Sequence, residues 1–147
     1  MIENSKLFEK DYYAWIQKMI TALSVRRVDD IDFENLAEKV SDLAFLEEQR
    51  LSAHFQRLNC YLLLLIYQID RTDHEKDWRW RLEDSRREIS EILEESPSMR
   101  RLFLKIQENA YKHGVLMAEI EMGYLKTTFP KNCPWTIDQL LNMKFLP

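Results

Sequence analysis

FENLAEKVSDLAFLEEQRLSAHFQRLNCYLLLLIYQI, from Phe33 to Ile69, contains neither Gly nor Pro. It reads as one uninterrupted helix of roughly 37 residues, about 55 Å long at 1.5 Å per residue. Asp32 ahead of it is an N-cap type, and Glu34 places negative charge in the first turn, where a helix terminus favours it. An apolar stripe runs from Leu36 through Val40, Leu43, Leu51, Phe55, Leu58, Leu62 and Leu65 to Ile69 at helical spacing. The two halves differ. From Leu58 onward nearly every residue is apolar, which predicts cover on all sides, whereas the first half has one dry face. This long helix is the spine of an all-α fold.

Composition agrees. With 2 Gly, 4 Pro, 31% charged and 46% hydrophobic residues, the chain suits helices with one wet and one dry face. Its 147 residues correspond to a single domain, 1–147, by size. The net charge of −4 argues against a nucleic-acid binder, which is usually basic. Cys60 and Cys133 form no disulfide framework, so both are expected as reduced thiols in a cytosolic protein. Met1-Ile-Glu-Asn-Ser-Lys lacks the apolar region of a signal peptide, and the apolar run 58–69 is too short for a membrane span of about 20 residues.

Working outward from the spine, Asn4 or Ser5 caps a preceding helix that reaches about Ser24, with Phe8, Tyr12, Trp15/Ile16, Met19 and Leu23 inside. The charged turn Arg26–Asp30 folds it back along the first half of the spine. After a turn at Arg71–Lys76 comes a third helix with Trp78, Leu82, Ser85/Arg86, Ile89 and Ile92 on one face. Its outer face pairs Arg79 with Glu83, Glu83 with Arg87 and Arg87 with Glu91. Ser96-Pro97 restarts the chain as N-cap and first helical residue. The fourth helix then runs to about Tyr124 with Met99, Leu102, Ile106, Ala110, His113, Met117 and Ile120 inside. The tail Thr127–Trp135 is extended by its prolines, and Thr136 with Gln139 makes a capping box for a last helix, Ile137 to Met143. The expected architecture is an up-down bundle of four main helices around one long central helix, plus a short C-terminal one.

Phe8-Glu-Lys-Asp-Tyr-Tyr-Ala-Trp15, Ile31-Asp-Phe-Glu-Asn-Leu-Ala-Glu38, Tyr67-Gln68, Trp78, Arg86 with Ile89, Glu95-Ser-Pro-Ser-Met99 and Phe129-Pro-Lys-Asn-Cys-Pro-Trp-Thr136 ahead of Asp138-Gln-Leu-Leu141 occur in this order. In these features the chain resembles the bacterial family known as domain of unknown function 29, over nearly its whole length. The resemblance implies an all-helical fold and no established activity. Where the family carries His-Leu-Leu-Lys-Trp, this chain has Tyr61, with Leu64 and Leu65 at the Lys and Trp positions. Any chemistry that depends on that His and Lys is therefore lacking here.

Several constellations invite a site. Glu47, Arg50 and His54 interrupt the inner stripe of the spine. Glu47 and His54 are separated by about 10 Å along the axis, too far for one metal ion, which needs ligands three or four residues apart. They read as a buried polar cluster between helices. His113, beside Gly114 where another backbone can approach, reads as a core histidine with a hydrogen-bond partner. Arg79, Trp80, Arg81, Arg86 and Arg87 form a basic, aromatic patch suited to stacking and phosphate contacts, but Glu83, Asp84, Glu88 and Glu91 lie among them. Trp15 and Trp135 read as hydrophobic anchors, the latter clamping the tail onto the bundle. No phosphate loop, Cys-x-x-Cys or nucleophile elbow occurs, and nothing calls for a cofactor.

The leading functional reading is a non-enzymatic protein-interaction or oligomerisation module. The alternatives are a metal-dependent hydrolase or nuclease using Glu34, Glu38 and Glu47, and a nucleic-acid-binding protein. Over residues 33–50 the spine has one partner helix in its own chain, too little to be stable alone. Phe45 and Leu46, continued by Leu63, Leu64 and Tyr67, lie away from it. A homodimer or larger homo-oligomer through these residues is expected, the competing expectation being that the tail from Thr127 covers Phe45.

Overall fold

A computed structural model describes residues 2–67, 73–123 and 129–145. The described residues are all helix, turn or irregular chain, without a strand. The helices are α1 (Ile2–Lys10), α2 (Tyr12–Ser24), α3 (Phe33–Tyr67), α4 (Glu75–Glu95), α5 (Phe103–Glu121) and α6 (Ile137–Leu141). Short 3-10 turns occupy Val28–Asp30 and Pro97–Leu102. The fold is all-α, with the expected long helix at its centre. The expected ends of the second and fourth helices at Ile69 and Tyr124 fall outside the described residues, as do Arg71, Thr127 and Leu146. Two compact units divide the chain at Glu47/Glu48, and α3 contributes to both.

In the first unit, Met1–Glu47, the expected single leading helix is two. The break comes at Asp11, whose backbone (φ −151°, ψ 86°) leaves the helix while its carboxylate accepts the Ala14 N–H at 3.0 Å. An aspartate able to cap in this way offers the chain a competitor to continued helix. Asn4, expected as a cap, is instead buried, its Nδ2 donating to the Asp30 carbonyl at 2.8 Å. Asp32 caps α3 as expected, accepting the Asn35 N–H at 3.3 Å. Its other oxygen takes Asn35 Nδ2 at 2.7 Å and Trp15 Nε1 at 3.1 Å. Burial pushes this carboxyl up, but the Asn35 and Trp15 hydrogen bonds stabilise the anion and bring it below the ordinary carboxylate value. The core around this polar hub is small: Trp15, Met19, Ala22 and Ile31.

The second unit, Glu48–Pro147, is built on the other half of α3. Leu58 through Leu65 is buried all round except for partly covered Tyr61, as the apolar run predicts. On α4, Trp78, Leu82, Ser85, Arg86, Ile89 and Ile92 face inward, the expected stripe. On the fourth helix the expected stripe holds at Met99, Leu102, Ile106, Ala110 and Met117 and fails at two positions. Phe103, Gln107, Ala110, Tyr111, Gly114 and Ala118 are buried, while His113 and Ile120 face solvent. Ser96-Pro97 does restart the chain, but into a 3-10 segment of three residues per turn before the α-helix begins. Small residues then let α5 lie close against α3. A Cβ at Gly114 would stand 2.7 Å from Asn59 Cβ and 3.1 Å from the Cys60 backbone nitrogen. Phe129, Trp135 and Leu140 pack into this core, so the segment 129–145 is docked. Thr136 and Gln139 form the expected capping box on α6, which ends at Leu141 rather than Met143.

Candidate functional site

The polar cluster expected between helices is not buried as a whole. Glu47 and Arg50 are exposed, and Arg50 reaches across to α4, 3.7 Å from Glu88 and 3.8 Å from Glu95. A long guanidinium at the rim prefers those carboxylates to desolvation. His54 alone is mostly covered, its Nε2 3.8 Å from Glu88 and its Nδ1 buried without a hydrogen-bond partner among the described residues. Burial, aided by the Arg57 and Arg50 charges, lowers the His54 pKa. The same surroundings favour its neutral imidazole form. His113, expected in the core, is exposed and bonds only back to the Asn109 carbonyl of its own helix.

The basic-aromatic patch is dispersed. Arg79 is held by Glu75 and Arg81 by Asp77, each one turn back, and Arg87 by Asp84, where spacing had pointed to Glu83 and Glu91 for Arg79 and Arg87. Trp80 stands exposed between them. Arg86 is withdrawn altogether, only 2% exposed. It donates to the carbonyls of Leu140 (2.7 Å) and Phe145 (2.9 Å), closing the end of α6. Burial brings its pKa down to about 10. With a longer contact of 3.4 Å to the Gln139 carbonyl, the arginine is committed to three backbone carbonyls of its own chain, a clamping role and not a phosphate-binding one.

The carboxylates Glu34, Glu38 and Glu47 are exposed on α3. Among the described residues, no group of three His, Cys, Asp or Glu is placed to hold a metal ion. Both cysteines are free thiols, and burial pushes Cys60 up to about 12, far from a reactive thiolate. No helix of the described residues is long and apolar enough to cross a membrane.

Inside the second unit lies a polar lock that the sequence did not announce. Asn59 and Gln107 exchange two amide hydrogen bonds of 2.9 Å. Asn59 also donates to the Phe55 carbonyl and accepts from Trp135 Nε1, both at 2.8 Å. Gln107 touches Cys133 Sγ at 3.2 Å, and the Tyr111 hydroxyl donates to the Pro130 carbonyl. Every amide position of Asn59 is used, so the lock holds the tail and offers nothing to a ligand.

Of the residues expected at an interface, Leu63 and Leu64 are fully buried in the second unit's own core, and Tyr67 is half-buried. Phe45 and Leu46 are about 60% exposed. Leu46 belongs to a larger feature, a groove of about 530 Å³ between α2 and the start of α3. Ile16, Ile20 and Leu23 form one wall, and Val40, Leu43 and Leu46 the other. Trp15, Met19 and Leu36 form the floor. At its rim Lys39 sits 5.4 Å from the ring centroids of both Phe8 and Tyr12 and bonds Asp42 at 3.1 Å. Among the described residues, most large apolar side chains left exposed belong to this shorter unit. The sequence held the signal. Ile16, Ile20 and Leu23 repeat the i, i+4, i+7 spacing of Trp15, Met19 and Ala22 one residue later, giving α2 two apolar stripes.

No curated protein and no solved structure matches this chain. The family model described as Domain of unknown function DUF29 matches residues 7–146, taking in the groove, the polar lock and the docked tail alike. On that match, the chain belongs to the DUF29 family.

Proposed function

We propose that this protein is a non-enzymatic helical interaction module whose binding face is the groove between α2 and the first turns of α3. One observation carries the reading: a wide apolar groove on a unit whose own core, among the described residues, holds four buried apolar residues. Units of this size usually need a further source of stability, and oligomerisation or partner binding is one. Contiguous exposed apolar surface with a polar rim is also the ordinary mark of a protein-binding face. Recognition of a partner helix pair by helical stripes at heptad-like spacing needs no catalytic group.

The test is titration of the full chain, kept at submicromolar concentration, with the apolar dye 1-anilinonaphthalene-8-sulfonate. The expected result is enhanced fluorescence that Leu43→Glu and Leu46→Glu each reduce without changing the far-UV circular dichroism. Equal dye binding by wild type and both variants would remove the groove as the binding face.

A further inference from the structure

We infer that the partner taken by this face is a second copy of the same chain, whose α2 lies against α3 of the first about a two-fold axis. The inference rests on the interaction reading above and names its partner. Three features of the first unit support it, and the first is shape. Both walls of the groove are apolar helical stripes, Ile16, Ile20 and Leu23 on α2 at i, i+4, i+7 and Val40, Leu43 and Leu46 on α3 at i, i+3, i+6. A face made of two such stripes is complementary to another copy of itself, the requirement for an isologous contact. Two hairpins joined in this way make a four-helix arrangement in which each helix gains a second neighbour.

The second feature is charge. Within α2 the only charged residue is Lys18, which with Arg27 and Asp30 lines a surface other than the groove. On α3 the charged residues that line the groove are Lys39 and Asp42, which bond each other at 3.1 Å, while Glu34, Glu38 and Glu47 lie outside it. In a two-fold four-helix arrangement each α2 neighbours an α3 of either copy, and like helices meet only across the diagonal. With the charges on the groove already paired within the chain, no like charges are brought together when two such faces meet. A parallel stacking of α3 on α3 would crowd the carboxylates instead.

The third feature is area. Ile20, Leu23, Val40, Leu43 and Leu46 are each about half exposed or more, up to 62% at Leu43. At roughly 100 Å² apiece, with the exposed rings of Tyr12 and Phe33 added, they approach the about 800 Å² per partner of a stable interface. The exposed Phe33, one turn before Leu36, extends the same face.

Sedimentation equilibrium of the full chain from 0.5 to 100 µM tests the inference, with dye binding read in parallel. The expected result is a monomer–dimer equilibrium in which Leu43→Glu and Leu46→Glu each raise the dissociation constant about thirtyfold or more. Leu104→Glu, at the exposed face of α5, leaves it unchanged. Because Leu43 and Leu46 are exposed in the chain itself, both variants should melt as wild-type monomers do. A monomer at every concentration, with dye binding still sensitive to Leu43→Glu, overturns the second-copy inference and leaves the interaction reading standing. A dimer indifferent to both groove variants also overturns it. A monomer whose dye binding ignores Leu43→Glu and Leu46→Glu overturns both.

Discussion

Asn59 on α3 and Gln107 on α5 hold each other by a reciprocal pair of 2.9 Å amide hydrogen bonds, 48 residues apart in sequence. Trp135 adds its indole N–H to the same Asn59 oxygen, so three separate segments meet at one side chain. Inside a covered core, such a network is worth having only when complete, because a half-satisfied amide keeps the desolvation penalty without the bond.

Gln107→Leu should therefore cost about 2 kcal/mol, since it leaves Asn59 short of one donor and one acceptor. Trp135→Phe should cost less, about 1 kcal/mol in hydrogen bonding, because Gln107 still supplies a donor to that oxygen. Urea denaturation followed by circular dichroism gives both numbers. Equal losses would show that the indole, not the amide pair, governs the lock.

Gly114→Ala is predicted to destabilise. Helix propensity alone favours alanine by about 1 kcal/mol. Against this, the new methyl would meet Asn59 Cβ at 2.7 Å and the α3 backbone at 3.1 Å, so two helices must part. Overpacking of this kind costs typically about 1–3 kcal/mol and wins. A thermal melt several degrees below wild type is expected, and an unchanged or higher midpoint would contradict the close crossing.

Arg26→Gly should stabilise. Arg26 has φ of +57°, and the Arg27 N–H reaches the Ala22 carbonyl while the Arg26 N–H reaches Leu23, the hydrogen-bond pattern of a Schellman cap. An L side chain in that left-handed position carries roughly 1 kcal/mol of strain that glycine lacks, partly offset by glycine's greater freedom when unfolded. A midpoint raised by a degree or more in thermal melting is the expected outcome, and a lowered one would show that the Arg26 side chain matters more than its backbone.

His54 makes stability fall on mild acidification. Its folded pKa lies below the unfolded value near 6.5, because burial and the Arg57 and Arg50 charges outweigh the opposing pull of Glu88 and Asp84. Below about pH 6.5 the unfolded chain takes up the proton more readily, so the native state loses stability as pH drops through that window. Urea midpoints at pH 7.5 and 5.5 should differ more for wild type than for His54→Gln. Identical pH differences would rule out the histidine as the cause.

Where apolar residues alone define a helix, periodicity located it well: α3 with its Asp32 cap, the inner face of α4 and the capping box on α6 were all readable. The break at Asp11 was not, because the aromatic series Phe8, Tyr12, Trp15 runs through it at helical spacing and masks the cap. On α5, two positions were misjudged for a related reason. Beside Phe103, Ala110 and Tyr111 its buried face uses Gln107, Gly114 and Ala118, which carry little hydropathic signal, while solvent-facing Leu104, Leu116 and Ile120 carry much. Arg86 fell into the basic patch because its partners are backbone carbonyls over 50 residues away, which no local spacing shows. The groove was half visible. Leu46 stood out, but Leu23 was absorbed into a single inner stripe and Ile20 left unassigned, when α2 has two stripes.

The distance along the chain between Asn59 and Trp135, 76 residues, has a consequence for synthesis on the ribosome. Contacts of the first unit close early, the longest of its side-chain hydrogen bonds spanning only 26 residues from Asn4 to Asp30. Asn59 must wait for an indole that translation at about 5–20 residues per second delivers roughly 4 to 15 seconds later. Throughout that interval the nascent leucine-rich half of α3 lacks the segment that seals it, while the α2–α3 groove is already made. Two ribosomes on one message would thus carry finished α2–α3 grooves before either chain has closed its larger core.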